Sequence, residues 1–288
     1  MYKRQVFENT GTALAPTFTE LTGTNNPLDG EDVGDKSTPT LGDLDGDGDL
    51  DLLSGNLDGT FNFYEATAID IQEFKAQTGS GNPLDGVDVG ASSAPLLADF
   101  DADGDLDVIT GGQGGIFQYF QNTGTGLAPT FTELTGGGNP LNGVFTTFDS
   151  SVSAGDLDGD GDLDAIVGQQ NGTFRFFENT GTATSPTFTE MTGGSNPLNG
   201  VDVGVRSSSS LGDLDGDGDL DLFAGDADGV FRFFLNTGSA TGATFTQQTG
   251  ANNPLDGLDV GTESALSLGD IDRDGDLDYI GARYRPGL

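Results

Sequence analysis

The apolar positions of this chain fall into short runs closed by Gly, Asp, Asn or Pro, with no stretch that reads as a helix. Pro39-Thr40-Leu41 is one short run, and Leu52-Leu53-Ser54 a second, β-rich and largely apolar. Asp58-Gly59 follows as a hairpin dipeptide, matched further on by Asn171-Gly172 and Asp228-Gly229. The next run alternates: in TFRFFEN, Phe174 and Phe176 are expected on one face, Arg175 and Phe177 on the other. NTGTATSP makes a turn, Thr187-Phe188-Thr189-Glu190-Met191 a fourth strand, and the Pro-containing NPLNG a connection. Four short strands per unit and no helix predict an all-β fold built from β-propeller blades.

Self-similarity organises these units. DLDGDGDLD at Asp43 to Asp51 returns as DFDADGDLD from Asp99, DLDGDGDLD from Asp156 and from Asp213, and DIDRDGDLD from Asp270, in steps of 56, 57, 57 and 57 residues. NPLDG or NPLNG keeps the same beat at Asn26, Asn82, Asn139, Asn196 and Asn253. Residues 1–288 therefore read as one propeller domain of five near-copies. The last copy stops after Asp278-Tyr279-Ile280-Gly281, without its third and fourth strands. Val6-Phe7-Glu8 and Thr17-Phe18-Thr19-Glu20 match the missing pair, through Phe176-Phe177-Glu178 and Thr187-Phe188-Thr189-Glu190. Joined, they would close a five-bladed ring and hide both sheet edges. A five-repeat stretch of a longer array is the alternative. ARYRPGL at 282–288 departs from the repeat. Met1 to Gln5 reads as foreign to it, because the back-translation GTG TAT AAG AGA CAG resembles the end of a transposon adaptor. MYKRQVFENTG also lacks the apolar h-region of a signal peptide.

Composition narrows the chemistry. Ten Lys+Arg stand against 47 Asp+Glu, a formal net charge of -37, with no His, Cys or Trp. Such a chain repels phosphate backbones and anionic lipid, so no nucleic-acid partner is expected. No run approaches the roughly 20 apolar residues that span a bilayer, so no membrane insertion is expected either. Without Cys or His there is no thiolate or imidazole nucleophile and no N/S ligand set for zinc. Oxygen ligands remain, and they suit calcium or magnesium. Hydrophobic residues at 34% and 20 regularly placed Phe argue for a globular chain.

The aspartate loops sharpen this. Carboxylates at every second position from Asp43 to Asp51 repel one another, and Gly46 and Gly48 remove helix propensity that would spread them. Five such loops hold 25 of the 47 acidic residues. A bound cation offsets that charge, and a solvated acidic turn is the bland alternative. Calcium is favoured over magnesium because a tight Asp-Gly loop can gather the roughly six to eight oxygens it takes, without strict octahedral geometry. A helical EF-hand is excluded, since its twelfth position falls on Ser54 and the flanks read as strands.

Taken together, the repeat and D-x-D-x-D-G-x-x-D between the first two strands of every copy resemble the integrin-type FG-GAP repeat and its bacterial relatives, the VCBS repeats, from about Val6 to Gly281. The resemblance implies one Ca²⁺ per loop, five in all, on one face of the propeller. It implies side-chain ligation by Asp43, Asp45 and Asp47, a backbone carbonyl from Asp49, and Asp51 as the closing carboxylate, with Gly48 permitting the turn. The same positions are Asp99, Asp101, Asp103, Asp105 and Asp107 in the second copy, and Asp156, Asp158, Asp160, Asp162 and Asp164 in the third. In the fourth they are Asp213, Asp215, Asp217, Asp219 and Asp221, and in the fifth Asp270, Asp272, Asp274, Asp276 and Asp278. Five Ca²⁺ would bring the formal charge from -37 to -27.

The leading expectation is a non-enzymatic, calcium-stabilised interaction module of an extracellular or cell-surface protein, in adhesion or matrix binding by resemblance, monomeric or part of a longer chain. Its partner would be a protein or a glycan. A calcium-dependent lectin is the alternative, weakened by the absence of Trp. A glycosidase or lyase with paired carboxylates in the central cavity comes third, since near-identical copies supply no asymmetric acid pair. Gly55, Gly111, Gly168, Gly225 and Gly281 are expected to be structural, through close approach or a bulge. Strand alternation puts the Asp loops and NTGT-type turns on one face. The hairpins and NPLDGVDVG-type connections lie on the other, the expected partner surface. There, Val144-Phe145-Thr146-Thr147-Phe148 departs from the VDVG of other copies and marks blade three as the place for a specific contact.

Overall fold

Each apolar run pairs antiparallel with the run before it across a polar turn, and the outcome is five four-stranded sheets in a closed ring. The computed structural model describes residues 3–12, 15–31, 33, 35–67, 73–112, 114–146, 150–239, 241–258 and 265–283. β1 (Lys3–Asn9) and β2 (Phe18–Leu21) come first. Blade one follows as β3 (Thr38–Gly42), β4 (Asp51–Gly55), β5 (Phe61–Ala66) and β6 (Phe74–Gln77). Blade two is β7 (Ala94–Ala98), β8 (Asp107–Gly111), β9 (Gln118–Asn122) and β10 (Phe131–Leu134). Blade three is β11 (Val152–Gly155), β12 (Asp164–Gly168), β13 (Phe174–Asn179) and β14 (Phe188–Met191). Blade four is β15 (Ser208–Gly212), β16 (Asp221–Gly225), β17 (Phe231–Asn236) and β18 (Phe245–Gln248). Last come β19 (Leu266–Gly269) and β20 (Asp278–Arg283), which join β1 and β2 in the order β19-β20-β1-β2.

The fifth blade is thus built from both halves of the chain, with Val6 opposite Ile280 and Phe7 opposite Tyr279. Lys3, Arg4 and Gln5, which looked foreign to the repeat, extend this pairing opposite Arg283, Ala282 and Gly281. Met1, Tyr2 and the tail from 284 lie outside the described residues. The only helical elements among the described residues are single 3-10 turns such as Gly23–Asn25, one before each NPLDG-type connection.

The alternation expected for the third strand holds, with both of its faces buried. Phe176 and Phe177 are adjacent yet both buried, because a blade in a ring is covered on both faces. Phe177 packs towards blade two with Tyr119 and Ile109, and Phe174 and Phe176 towards blade four with Leu222 and Phe234. Five such clusters fill the five seams. The connection motif serves the same cores: Leu28, Leu84, Leu141, Leu198 and Leu255 are all buried. The motif's asparagine holds the connection down, as Asn139 does by donating Nδ2–H to the Phe117 carbonyl at 2.8 Å and accepting from the Leu141 N–H at 2.9 Å. The second strands end in close approach. A Cβ built on Gly55, Gly111 or Gly168 would lie 2.2, 2.2 or 2.1 Å from the carbonyl oxygen of Ser93, Ser150 or Ser207 in the next blade.

Candidate metal centres

The loop from each innermost strand to the second strand keeps its carboxylates together by bonding its own backbone. In the first copy, the Gly48 N–H donates to Asp43 Oδ2 at 3.0 Å, the Asp47 N–H to Asp45 Oδ1 at 3.2 Å, and the Asp49 N–H to Asp47 Oδ1 at 2.9 Å. Gly48 sits at φ +94°, and Gly104, Gly161, Gly218 and Gly275 hold the same position at +97°, +92°, +94° and +95°. That left-handed turn is the reason for the glycine in the motif.

The ninth position is different in kind. Asp51 is buried, with Oδ2 accepting the Leu44 N–H and Oδ1 the Ala66 N–H, both at 3.0 Å. Asp107, Asp164, Asp221 and Asp278 repeat this, joining the loop to the end of the third strand. In the second blade Tyr119 adds an O–H donor to Asp107 at 2.7 Å.

Three of the five expected aspartates converge in every loop. One oxygen from each of Asp43, Asp45 and Asp51 lies within 4.8 Å of the others. The same holds for Asp99, Asp101 and Asp107, for Asp156, Asp158 and Asp164, for Asp213, Asp215 and Asp221, and for Asp270, Asp272 and Asp278. That spacing allows each oxygen to reach one shared ion at about 2.4 Å, a calcium distance. Asp47, Asp103, Asp160, Asp217 and Asp274 stand outside these groups, each accepting the N–H two residues on. Asp49, Asp105, Asp162, Asp219 and Asp276, expected to serve through the main chain, also stand outside them.

The electrostatics of these carboxyls favour a positive charge beside them. Burial pushes the carboxyls of Asp51, Asp164 and Asp278 up to about 7, and those of Asp107 and Asp221 up to about 6, against the lowering effect of their backbone bonds. Burial, together with neighbouring carboxylates, also raises Asp45, Asp158, Asp215 and Asp272. Asp43 Oδ1, Asp101 Oδ1, Asp162 Oδ1 and Asp270 Oδ1 are buried without a hydrogen-bond partner. An all-oxygen donor set with orphaned carboxylate oxygens fits a hard divalent cation.

One residue that the sequence pattern did not flag completes the face. Arg273 replaces the Gly46, Gly159 or Gly216 of other loops and keeps their left-handed turn at φ +63°. From the fifth blade it reaches the first, donating from Nη2 to the Gly48 carbonyl at 2.7 Å and pairing with Asp49. The only sequence signal was an arginine in a loop of aspartates. Arg273→Gln is expected to lower the melting temperature of metal-free protein by about 2 °C, the scale of a half-exposed ion pair. Scanning calorimetry in low salt reads this, and an unchanged value would show the contact to be energetically silent.

The central channel, by contrast, is lined by hydroxyls and aliphatic groups such as Thr40, Leu96, Ser153, Ser209 and Ser267. No carboxylate is among the described residues that line this channel.

The comparisons agree with the repeat architecture. The family model for the FG-GAP-like repeat matches residues 99–167 and 213–281. No curated protein matches the chain. A solved structure concerning specific recognition of non-reducing terminal N-acetylglucosamine by an Agrocybe aegerita lectin overlays with TM-score 0.45 and 17% identity, covering 96% of this chain and 70% of that one. An overlay that loose carries no inference about ligands. Two matched stretches, a carboxylate loop at the same place in every blade and a ring closed by four-stranded sheets make this protein a five-bladed β-propeller that carries FG-GAP-like repeats at residues 99–167 and 213–281.

Proposed function

We propose that this propeller is a non-enzymatic interaction module of an extracellular or cell-surface protein, its blades clamped by about one Ca²⁺ each. The observation that carries the reading is the repetition of one carboxylate cluster at the same place in all five blades. Catalysis needs one asymmetric constellation, whereas a clamp is needed once per blade. Asp43, Asp45 and Asp51, with their counterparts, would hold the ions. The ion would supply the charge that lets buried carboxylates stay ionised, tying the loop to the third strand through the ninth aspartate. Adhesion or matrix binding is the role that membership of the FG-GAP repeats supports, with a protein or glycan as partner.

Calorimetric titration of metal-free protein tests this. About five ions are expected, at roughly 10⁻⁴ to 10⁻⁶ M, the range of extracellular and sensor sites. Replacing Asp158 and Asp160 together with Asn should remove about one ion and leave the other four, because repeats interact mainly with their neighbours. Absence of uptake, or a single ion in wild-type protein, sinks the proposal.

A further inference from the structure

Five copies in one chain serve as references for one another: what all share belongs to the fold, and a departure that gives up a stabilising bond marks a place kept for something else. Among the described residues, the connections on the face opposite the aspartate loops show such a departure in the third copy. In the second and fourth copies the connection carries Asp88 and Asp202, whose Oδ1 atoms accept the N–H of Gly90 and Gly204, each at 2.9 Å. In the third copy the same places hold Phe145 and Thr147, so no carboxylate can make this turn bond. What replaces it is an apolar surface. Phe145, 64% exposed, forms a β-bridge with Ile116, 54% exposed; the hairpin place of Ile116 is Thr60 in the first blade, Thr173 in the third and Val230, 47% exposed, in the fourth, so it is Phe145 that sets this copy apart. Phe148 lies outside the described residues.

The backbone beneath this pair is held in place. The Thr146 N–H donates to the Gly115 carbonyl at 2.9 Å, and the Phe145 carbonyl accepts from Arg175 Nη1 at 2.8 Å. Arg175 is itself gripped by both oxygens of Glu190, at 2.8 and 2.6 Å, and lies 4.7 Å from the centre of the Phe177 ring. In blade four the equivalent arginine, Arg232, turns instead to Asp226 at 2.8 Å. The third blade thus spends its arginine on presenting an exposed aromatic residue from a fixed main chain.

We propose that Ile116 and Phe145 are the docking point for a protein segment carrying one large apolar side chain between basic residues. The assignment rests on the reading of the propeller as an interaction module. Charge selects the occupant. Asp88 and Asp202 are exposed at the equivalent places in the blades on either side, so the apolar pair sits between carboxylates in a chain of net charge -37. An aromatic anchor of this kind contributes binding energy out of proportion to its area, and flanking lysines or arginines match the rim. A second copy of this chain, equally acidic, is opposed by the same field.

The probes are short fluorescein-labelled peptides with one Phe between paired lysines, with controls in which glutamates replace the lysines or Ser replaces the Phe. Anisotropy is read at saturating calcium and physiological salt. Wild type should bind the Lys-Phe-Lys peptide at least about tenfold more tightly than either control and than the double variant Ile116→Thr/Phe145→Asp. The double variant takes its residues from sister copies, which favours a native fold, and its melting curve checks this. Asp88→Asn/Asp202→Asn keeps the turn-capping oxygens and should weaken binding several-fold and flatten its salt dependence, which keeps the test decisive if the first variant does not fold. Equal affinity of wild type and variants, or binding indifferent to the Phe, overturns the proposal. So does a wild-type dimer in sedimentation that Phe145→Asp dissolves. Calcium uptake on the same samples is read separately, so failure of the clamp and failure of the docking point cannot be confused.

Discussion

Adding calcium to metal-free protein at pH 8 is expected to raise its melting temperature by about 20 °C. At a free concentration a hundred times the dissociation constant, one site contributes about 2.7 kcal/mol, and five about 13 kcal/mol. Spread over the unfolding entropy of a chain this size, that is about 20 °C. Acid should move the two forms in opposite directions. Without metal, Asp51, Asp164 and Asp278 have folded values near 7, and Asp107 and Asp221 near 6, above the ordinary 3.8. A raised carboxyl binds its proton more tightly in the folded state, so its stabilisation is complete below 3.8 and is lost as pH rises through 6 to 7. Metal-free protein should therefore melt higher at pH 5 than at pH 8. With calcium the proton competes with the ion for the same oxygens, and the order should reverse. Scanning calorimetry on dialysed and loaded protein at both pH values checks this, and a metal-free form that weakens on acidification would contradict the burial of these carboxyls.

Gly168→Ala should cost about 3 kcal/mol, roughly 5 °C, because the new methyl has nowhere to go. Its Cβ would stand 2.1 Å from the Ser207 carbonyl oxygen, which already accepts from Ser151 Oγ at 3.2 Å. Ser207 is held in turn, its N–H donating to the Gln169 carbonyl at 3.1 Å and its Oγ accepting the Gln169 N–H at 2.8 Å. Relief requires opening the seam between blades three and four. Gly212→Ala is the control. There the nearest atoms are the Cδ1 methyls of Leu277 and Leu268, at 2.8 and 3.0 Å, ends of flexible side chains. The second copy already carries Ala98 at this position, so the cost should stay below about 1 kcal/mol. Urea titration separates the two, and equal losses would mean that backbone contact is not what excludes a side chain at Gly168.

The repeat made most of the architecture legible. A beat of 57 residues, DG hairpins and Val6-Phe7-Glu8 matching Phe176-Phe177-Glu178 were enough to expect the ring and its closure, and Phe7 indeed stands opposite Tyr279. Alternation placed Phe177 correctly on the face opposite Phe174 and Phe176; both faces are buried because each blade of a ring has a neighbour on either side. In the loops, residue type identified the acidic face, but not which oxygens meet. Asp47 and Asp51 look alike in sequence; one caps its own turn while the other is drawn inside by two backbone N–H groups, one in the loop and one at the end of the third strand. Arg273 was illegible for a related reason, since its partners at Gly48 and Asp49 come from the far end of the chain.

The divided fifth blade gives the molecule a built-in order of assembly. In the other four blades the ninth aspartate reaches a third-strand N–H only 15 residues away. In the fifth, Asp278 Oδ1 makes the same bond to the Asn9 N–H across 269 residues, at 2.7 Å. Loop entropy grows as three-halves of RT times the logarithm of length, so that closure costs about 2.6 kcal/mol more than its sisters. Four loops can become sound while the chain is still an open arc, and the fifth is completed only when the arc becomes a circle. During refolding, the last ion taken up would report the moment of closure, and on heating the first ion released would report the seam parting.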